Sequence, residues 1–218
     1  MLQVETRLGR AIPPFVILKV LIIPLMALTP LVPANSQFSE KQPLNCVCGT
    51  LDAPIRLEVF SDFQCSYCRM FYLETVAQVR KNYAPSDKIC VIYYEFPLST
   101  HAYGRKAARY SLAAQRVGRK QWLAAMDTLY AKQDQWSQDG NIEAALKDAI
   151  SVEDLGSISK LLQDPSIDEA IDRDIALGEK RGVTGTPAVF MTALNKERLK
   201  ASYLSYEVWK DIFSSIVK

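Results

Sequence analysis

The chain has 218 residues, 49% of them apolar, and a formal charge of +2 at pH 7. That length and apolar share suit one domain of substantial core, or one domain carrying an insertion. Arg7, Arg10 and Lys19 against Glu5 account for the excess charge, and the remaining basic and acidic residues cancel. So balanced a chain gives no electrostatic reason to expect nucleic-acid binding.

Residues 1–34 read as an address. Arg7 and Arg10 precede the run "FVILKVLIIPLMALTPLVPA", and small residues follow, which is the pattern of an export signal. Val32-Pro33-Ala34 offers cleavage after Ala34, with Ser36 a second point. Lys19, Pro24 and Pro30 interrupt the run and argue against a permanent spanning helix, although an uncleaved anchor stays open. Cys46 follows "PLN", not a small-residue pair, so no lipid attachment is read. The expected location is the periplasm or another extracytoplasmic space, reached through this signal sequence, where disulfides persist.

Residues 35–51 are expected to form a polar linker (about Asn35–Leu44) and an N-terminal strand with Cys46 and Cys48. From residue 52 to 218 the pattern is that of one α/β domain. "IRLEVF" reads as a strand of branched and aromatic residues. "CRMFYLETVAQVRKNY" follows with helical spacing that puts Phe71, Val76 and Val79 on one face. "KICVIYYEF" is a continuous apolar strand stopped by Pro97. From about 103 to 181 the pattern is helical, with breaks at Gly118, "SQDGN", Ser151 and "QDPS". Ser151 and Asp154 resemble a capping box, and Ser99 or Thr100 is the expected cap of the block's first helix. "TPAVFMT" is a strand, "ALNKE" a turn and "RLKASY" its hairpin partner. "SYEVWKDIFSSIVK" closes the chain as an amphipathic helix with Val208, Ile212 and Ile216 at i, i+4 spacing. The helical block thus lies as an insertion between the second and third core strands.

Cys65 and Cys68, in "FSDFQCSYCRMF", carry the chemistry. A cysteine just past a strand and at a helix's first turn lies by unsatisfied backbone N–H groups and the positive dipole end. Both favour the thiolate. Cys68 lies on the same helix face and can attack a mixed disulfide formed at Cys65. The spacing serves a two-step exchange, with Cys65 exposed and nucleophilic and Cys68 sheltered and resolving. Ser66 and Tyr67, between them, help set thiolate stability. A zinc site is the rival, because Cys46-x-Cys48 lies upstream with sixteen residues between Cys48 and Cys65, close to a four-thiolate ribbon. The intervening apolar strand and the oxidising destination weigh against it, and no metal is expected; a purely structural Cys65–Cys68 bridge is a further alternative.

"APIRLEVFSDFQCSYCRMF" together with "RGVTGTPAVF" resembles the DsbA-like thiol–disulfide oxidoreductases of the thioredoxin superfamily, from about Asp52 to the C-terminus. The resemblance implies a thioredoxin fold with a helical insertion and a cis peptide bond before Pro187. It also implies that the backbone of Thr186 lies beside Cys65, where an extended substrate peptide can pair with it. No organic cofactor is implied. The partners would be cysteine-containing exported proteins and a membrane redox partner that resets the pair. Isomerases of the superfamily usually carry an N-terminal dimerisation domain, for which the linker of about a dozen residues before Cys46 leaves no room, so a monomer is expected. An oxidase that introduces disulfides is the expected function. A periplasmic reductase or isomerase, and a non-catalytic chaperone or metal-binding module on the same fold, are the alternatives.

Many relatives carry a buried carboxylate six residues before the first cysteine; here that position is Val59. Glu58 points to the other face of the strand by alternation, and both Glu58 and Asp62 are expected as surface or capping groups. Cys46, Cys48 and Cys90 make an odd set. A Cys46–Cys48 bridge would close a small strained ring, one of the two could reach Cys90 in a secondary disulfide, Cys90 could stay a small buried hydrophobe, and Cys46 with Cys48 could form a second redox relay. His101 is expected as a surface or capping residue. Trp122, Trp136 and Met126 are expected in the core of the helical block, and the charges of "DEAIDRDIALGEKR" on a solvated face with i, i+4 pairs.

Overall fold

A computed structural model of the chain describes residues 45–194 and 196–216. The expected leader, its cleavage points and the linker (about Asn35–Leu44) lie outside them. Among the described residues no helix is long and apolar enough to cross a membrane.

Five strands form one sheet in the order β1-β3-β2-β4-β5, where β1 is Cys46–Cys48, β2 Ile55–Ser61, β3 Ile89–Glu95, β4 Ala188–Ala193 and β5 Lys196–Ala201. β2 runs parallel to β3 and antiparallel to β4. Alternation along β2 sends Ile55, Leu57 and Val59 into the main core and Phe60 to the opposite face, where it joins Phe96, Val183, Ala188 and Phe190. This is the thioredoxin arrangement, with helices between β3 and β4.

The helix after β2 is interrupted. Its α-helical ends, α1 (Ser66–Met70) and α2 (Ala77–Tyr83), flank a π-helical turn over Phe71–Val76. Phe71, Val76 and Val79 are buried as their spacing predicts, but so is Tyr72. A π turn spends one more residue per turn than an α-helix, and here consecutive aromatic side chains both reach the core.

Helices α3 (Gly104–Val117), α4 (Arg119–Ala131), α5 (Gln133–Asp139), α6 (Ile142–Leu146), α7 (Val152–Leu161) and α8 (Ser166–Lys180) form the block. Trp122, Met126 and Trp136 fill it, each at most 2% exposed. Neither Ser99 nor Thr100 caps α3. The helix starts later, and the side-chain oxygen of Gln64 accepts the Tyr103 N–H at 2.7 Å. Only glycine suits position 104, since a Cβ there would lie 2.6 Å from Asp62 Oδ1. Ser151 does cap α7, its hydroxyl accepting the Asp154 N–H at 3.1 Å. Ser151→Ala is expected to cost about 1 kcal/mol, read as a lower denaturant midpoint with unchanged exchange activity.

Two expectations for helix faces, one solvated and one apolar, need correction. The acidic residues of α8 do more than pair along their own helix: Asp168 and Asp172 grip Arg105, and Asp168 also Arg109, across to α3. Asp174 turns inward and accepts the Glu95 N–H at 2.9 Å. In the closing helix α9 (Tyr206–Ile216), Val208 is 43% exposed while Trp209 and Phe213 are buried. The larger aromatic pair, also four residues apart, claims the core and turns Val208 outward.

Candidate active site

β2 ends at Ser61, and the loop Asp62–Gln64 delivers Cys65 as the N-cap of α1 in extended conformation. Cys65 donates its N–H to the Asp62 carbonyl at 3.1 Å and accepts the Arg69 N–H at 3.0 Å. Its sulfur lies 3.3 Å from the carbonyl oxygen of Thr186, and the Thr186–Pro187 bond is cis. Cys65 is more covered than expected, at 7% exposure against none for Cys68, with the Thr186–Pro187 segment lying against its sulfur. Ser66 and Tyr67 both face solvent, Tyr67 at 60%.

The two thiols are unequal. Cys65 is lowered to about 6, first by the hydrogen bond it receives from the Cys68 thiol. Burial opposes this, while the N–H groups of Cys68 and Tyr67 and the Thr186 hydroxyl add to it. That hydroxyl is buried with no regular hydrogen-bond partner of its own. Cys68 is pushed well above the usual thiol range, first by burial and then by its neighbour Cys65. One sulfur is thus ready as a thiolate while the other holds its proton.

Long-range contacts fix the loop. Gln133, on α5 and only 5% exposed, donates its side-chain N–H to the carbonyls of Phe63 (2.6 Å) and Cys65 (3.0 Å). Asp62 is no surface group. It is 1% exposed and accepts the N–H of Gln64 and Leu98, each at 2.8 Å, and contacts His101 Nδ1 at 2.7 Å. His101 therefore braces the loop through Asp62. Below Cys68, the Ser61 hydroxyl bonds the buried Tyr130 hydroxyl at 2.8 Å. Glu95, paired in register with Ser61, is pushed well above the usual carboxyl range by burial and then by Asp174. Glu58 does point away from Val59, as alternation predicts, and pairs with Arg181 at 3.2 Å.

Gln133, Glu95, Ser61 and Tyr130 escaped the sequence reading. Glu95 had a signal, a lone carboxylate within the apolar run "ICVIYYEF". Gln133 had a weaker one, a polar residue in helical phase with Leu129 and Trp136.

Cys46, Cys48 and Cys90 are buried free thiols. The sulfurs of Cys46 and Cys90 lie 3.3 Å apart. Burial pushes Cys48 up to about 12. Among the described residues no group of three or more His, Cys, Asp or Glu is arranged to hold a metal ion.

This geometry has counterparts. The family model described as Thioredoxin matches residues 41–209. The chain belongs to the thioredoxin family. Within that family its likeness is to DsbA-type oxidoreductases. A protein of Bacillus cereus named "Probable disulfide bond formation protein D" is 22% identical over 162 residues, 71% of each chain. The crystal structure of alpha-DsbA1 from Wolbachia pipientis superimposes with a TM-score of 0.65 at 20% identity, covering 80% of this chain and 92% of that one. Oxidised BdbD from Bacillus subtilis gives a TM-score of 0.58 at 18% identity, covering 77% and 90%.

Proposed function

We propose that the protein is an exported thiol–disulfide oxidase that introduces disulfides into secreted proteins through Cys65 and Cys68. The observation that carries this is the unequal pair: Cys65, lowered to about 6, 3.3 Å from the Thr186 carbonyl, above a fully buried Cys68. In the oxidised protein a substrate thiolate attacks Cys65 Sγ, breaking the Cys65–Cys68 bond and leaving Cys68 as thiolate. A second substrate thiolate then displaces Cys65 as thiolate from the mixed disulfide; the substrate keeps the new bond, the enzyme keeps the electron pair, Cys68 takes one proton and the other goes to solvent. A stabilised Cys65 thiolate is the better leaving group and holds the reduced state down in energy, which makes the couple oxidising.

Thr186 and Pro187 border a cavity of about 430 Å³ with Gly182 to Ala188 and Lys200 to Ser202 along its walls. An extended substrate segment can lie there and pair with the Thr186 backbone. Ser66 and Tyr67, open to solvent between the cysteines, tune the thiolate and meet the substrate. A membrane redox partner restores the disulfide, and the protein works as a monomer.

Equilibration in graded glutathione buffers, with acid trapping and mass measurement, tests the direction. A Cys65 near 6 lies between the thioredoxin thiol at about 7 and the DsbA thiol at about 3.5. The potential should accordingly fall between about −270 and −120 mV. A value at or below thioredoxin's would make the protein a reductase. The ultraviolet absorbance of the thiolate should titrate with a midpoint near 6. Because this value lies below that of an unfolded thiol, near ~8.5, the reduced form's extra stability is full above ~8.5. It fades as the pH falls through about 6. A midpoint near the unfolded value would remove the support for an activated Cys65.

A further inference from the structure

The cysteines outside the C-x-x-C motif are sorted by a bulge in β1. Cys46 is in register with Ile92 but Cys48 with Val91, the shift falling between them. In a regular strand residues two apart share a face; the extra residue of a bulge sends them to opposite faces. Cys46 accordingly packs with Cys90 and Ile92 in a small cluster of their own, whereas Cys48 packs with Val47 and Val91 in the main core. Cys90, two residues before Ile92 on β3, presents its sulfur to Cys46 Sγ at 3.3 Å. Both residues are fully buried.

We propose that Cys46 and Cys90 form a second disulfide, a fixed cross-link from β1 to β3, and that Cys48 stays a thiol. The inference rests on the proposed extracytoplasmic location only for its occurrence in the cell, where the surroundings must be oxidising. The chemistry needs a disulfide oxidant, such as oxidised glutathione or the Cys65–Cys68 bond of another copy. The Cys46 thiolate attacks the oxidant, forming a mixed disulfide and releasing one thiolate. Cys90, losing its proton, then attacks Cys46 Sγ and releases the second thiolate. Two thiols have lost two electrons and two protons, and the oxidant has become two thiols.

Cys46 is the attacking member. Its thiol is lowered by the hydrogen bond from Cys90 and, against burial, by the nearby Arg119 charge, while Cys90 is raised. Access comes before the sheet closes or when β1 opens. This strand is three residues long, held at its carbonyls by Arg119 and through Asn45 to Tyr93; short peripheral segments open at low cost. Both sulfurs belong to fully buried residues, so once formed the bond serves as structure and takes no part in turnover.

The test uses the full-length chain carrying Cys65→Ser and Cys68→Ser, so that its result is independent of exchange activity. The reduced protein is oxidised with oxidised glutathione, alkylated in denaturant and digested without reduction. The expected product is one Cys46–Cys90 cross-linked peptide pair with a single alkylated thiol at Cys48. Adding Cys48→Ala should leave the link intact. Oxidation should raise the melting midpoint by about 10 °C, and this rise should vanish in Cys90→Ala. Three alkylated thiols after oxidation, or a link that includes Cys48, would overturn the proposal.

Discussion

Cys65→Ser should lower the rate of disulfide transfer to a cysteine-containing peptide by at least about a thousandfold. The reason is chemical: a hydroxyl cannot form or leave a disulfide, and Cys68, fully buried and pushed above the usual thiol range, cannot take over. Cys68→Ser should behave differently. Cys65 keeps its contact with the Thr186 carbonyl and the helix N-terminus, so a single-step exchange with a disulfide peptide still occurs, but no partner resolves the product. A mixed disulfide at Cys65 should therefore accumulate and be visible as added peptide mass without reductant. Cys68→Ala, which removes the hydrogen bond from Cys68 that is the largest contribution lowering Cys65, should also move the Cys65 titration upward. Near-normal transfer by Cys65→Ser would sink the oxidase reading and favour a binding module on the same fold.

The second large effect concerns Asp174. Burial raises its carboxyl to about 6, against the opposing hydrogen bond from Glu95 N–H and the charge of Arg173. The folded value lies above the unfolded value of ~3.9, so the native state binds the proton more tightly than the unfolded chain does. Stability therefore falls as the pH rises from ~4 through about 6, and the loss persists above that. Asp174→Asn keeps an oxygen for the Glu95 N–H while removing the charge. The variant should be more stable than the parent by about 2 kcal/mol at pH 8 and nearly equal to it at pH 4, as read from denaturant midpoints. It should also ease ionisation of Glu95, whose carboxyl Asp174 helps to keep protonated. A destabilisation of the same size at both pH values would show that Asp174 acts through packing alone.

What the sequence disclosed about this site was local. The C-x-x-C pair, the strand before it and the helix after it occupy one unbroken stretch, and "GVTGTP" carries its own turn chemistry. What it hid was set by partners far along the chain. Asp62 looks like a loop carboxylate until Leu98 and His101 fold over it, and Gln133 looks like one more helix polar residue until it meets Phe63 and Cys65. Val208 shows the limit of periodicity itself: Ile212 and Ile216 of the expected stripe do pack against the core, but Trp209 and Phe213 take the fully buried positions and Val208 is left exposed. The bulge between Cys46 and Cys48 was invisible for the same reason, since it exists only in register with β3.

The contact between Cys65 and Thr186 spans 121 residues, and this separation has a consequence in time. A chain leaves the ribosome N-terminus first at about 5–20 residues per second. All five cysteines of the chain lie at or before residue 90, so each emerges well ahead of Thr186. For about 6–24 seconds, C-S-Y-C is out without the loop that covers it, beside three other thiols. During that interval the active-site thiols lack the Thr186 contact of the folded site. Order of emergence also favours thiols that are already neighbours, and β1 to β3 can pair before the helical block and β4 have been made.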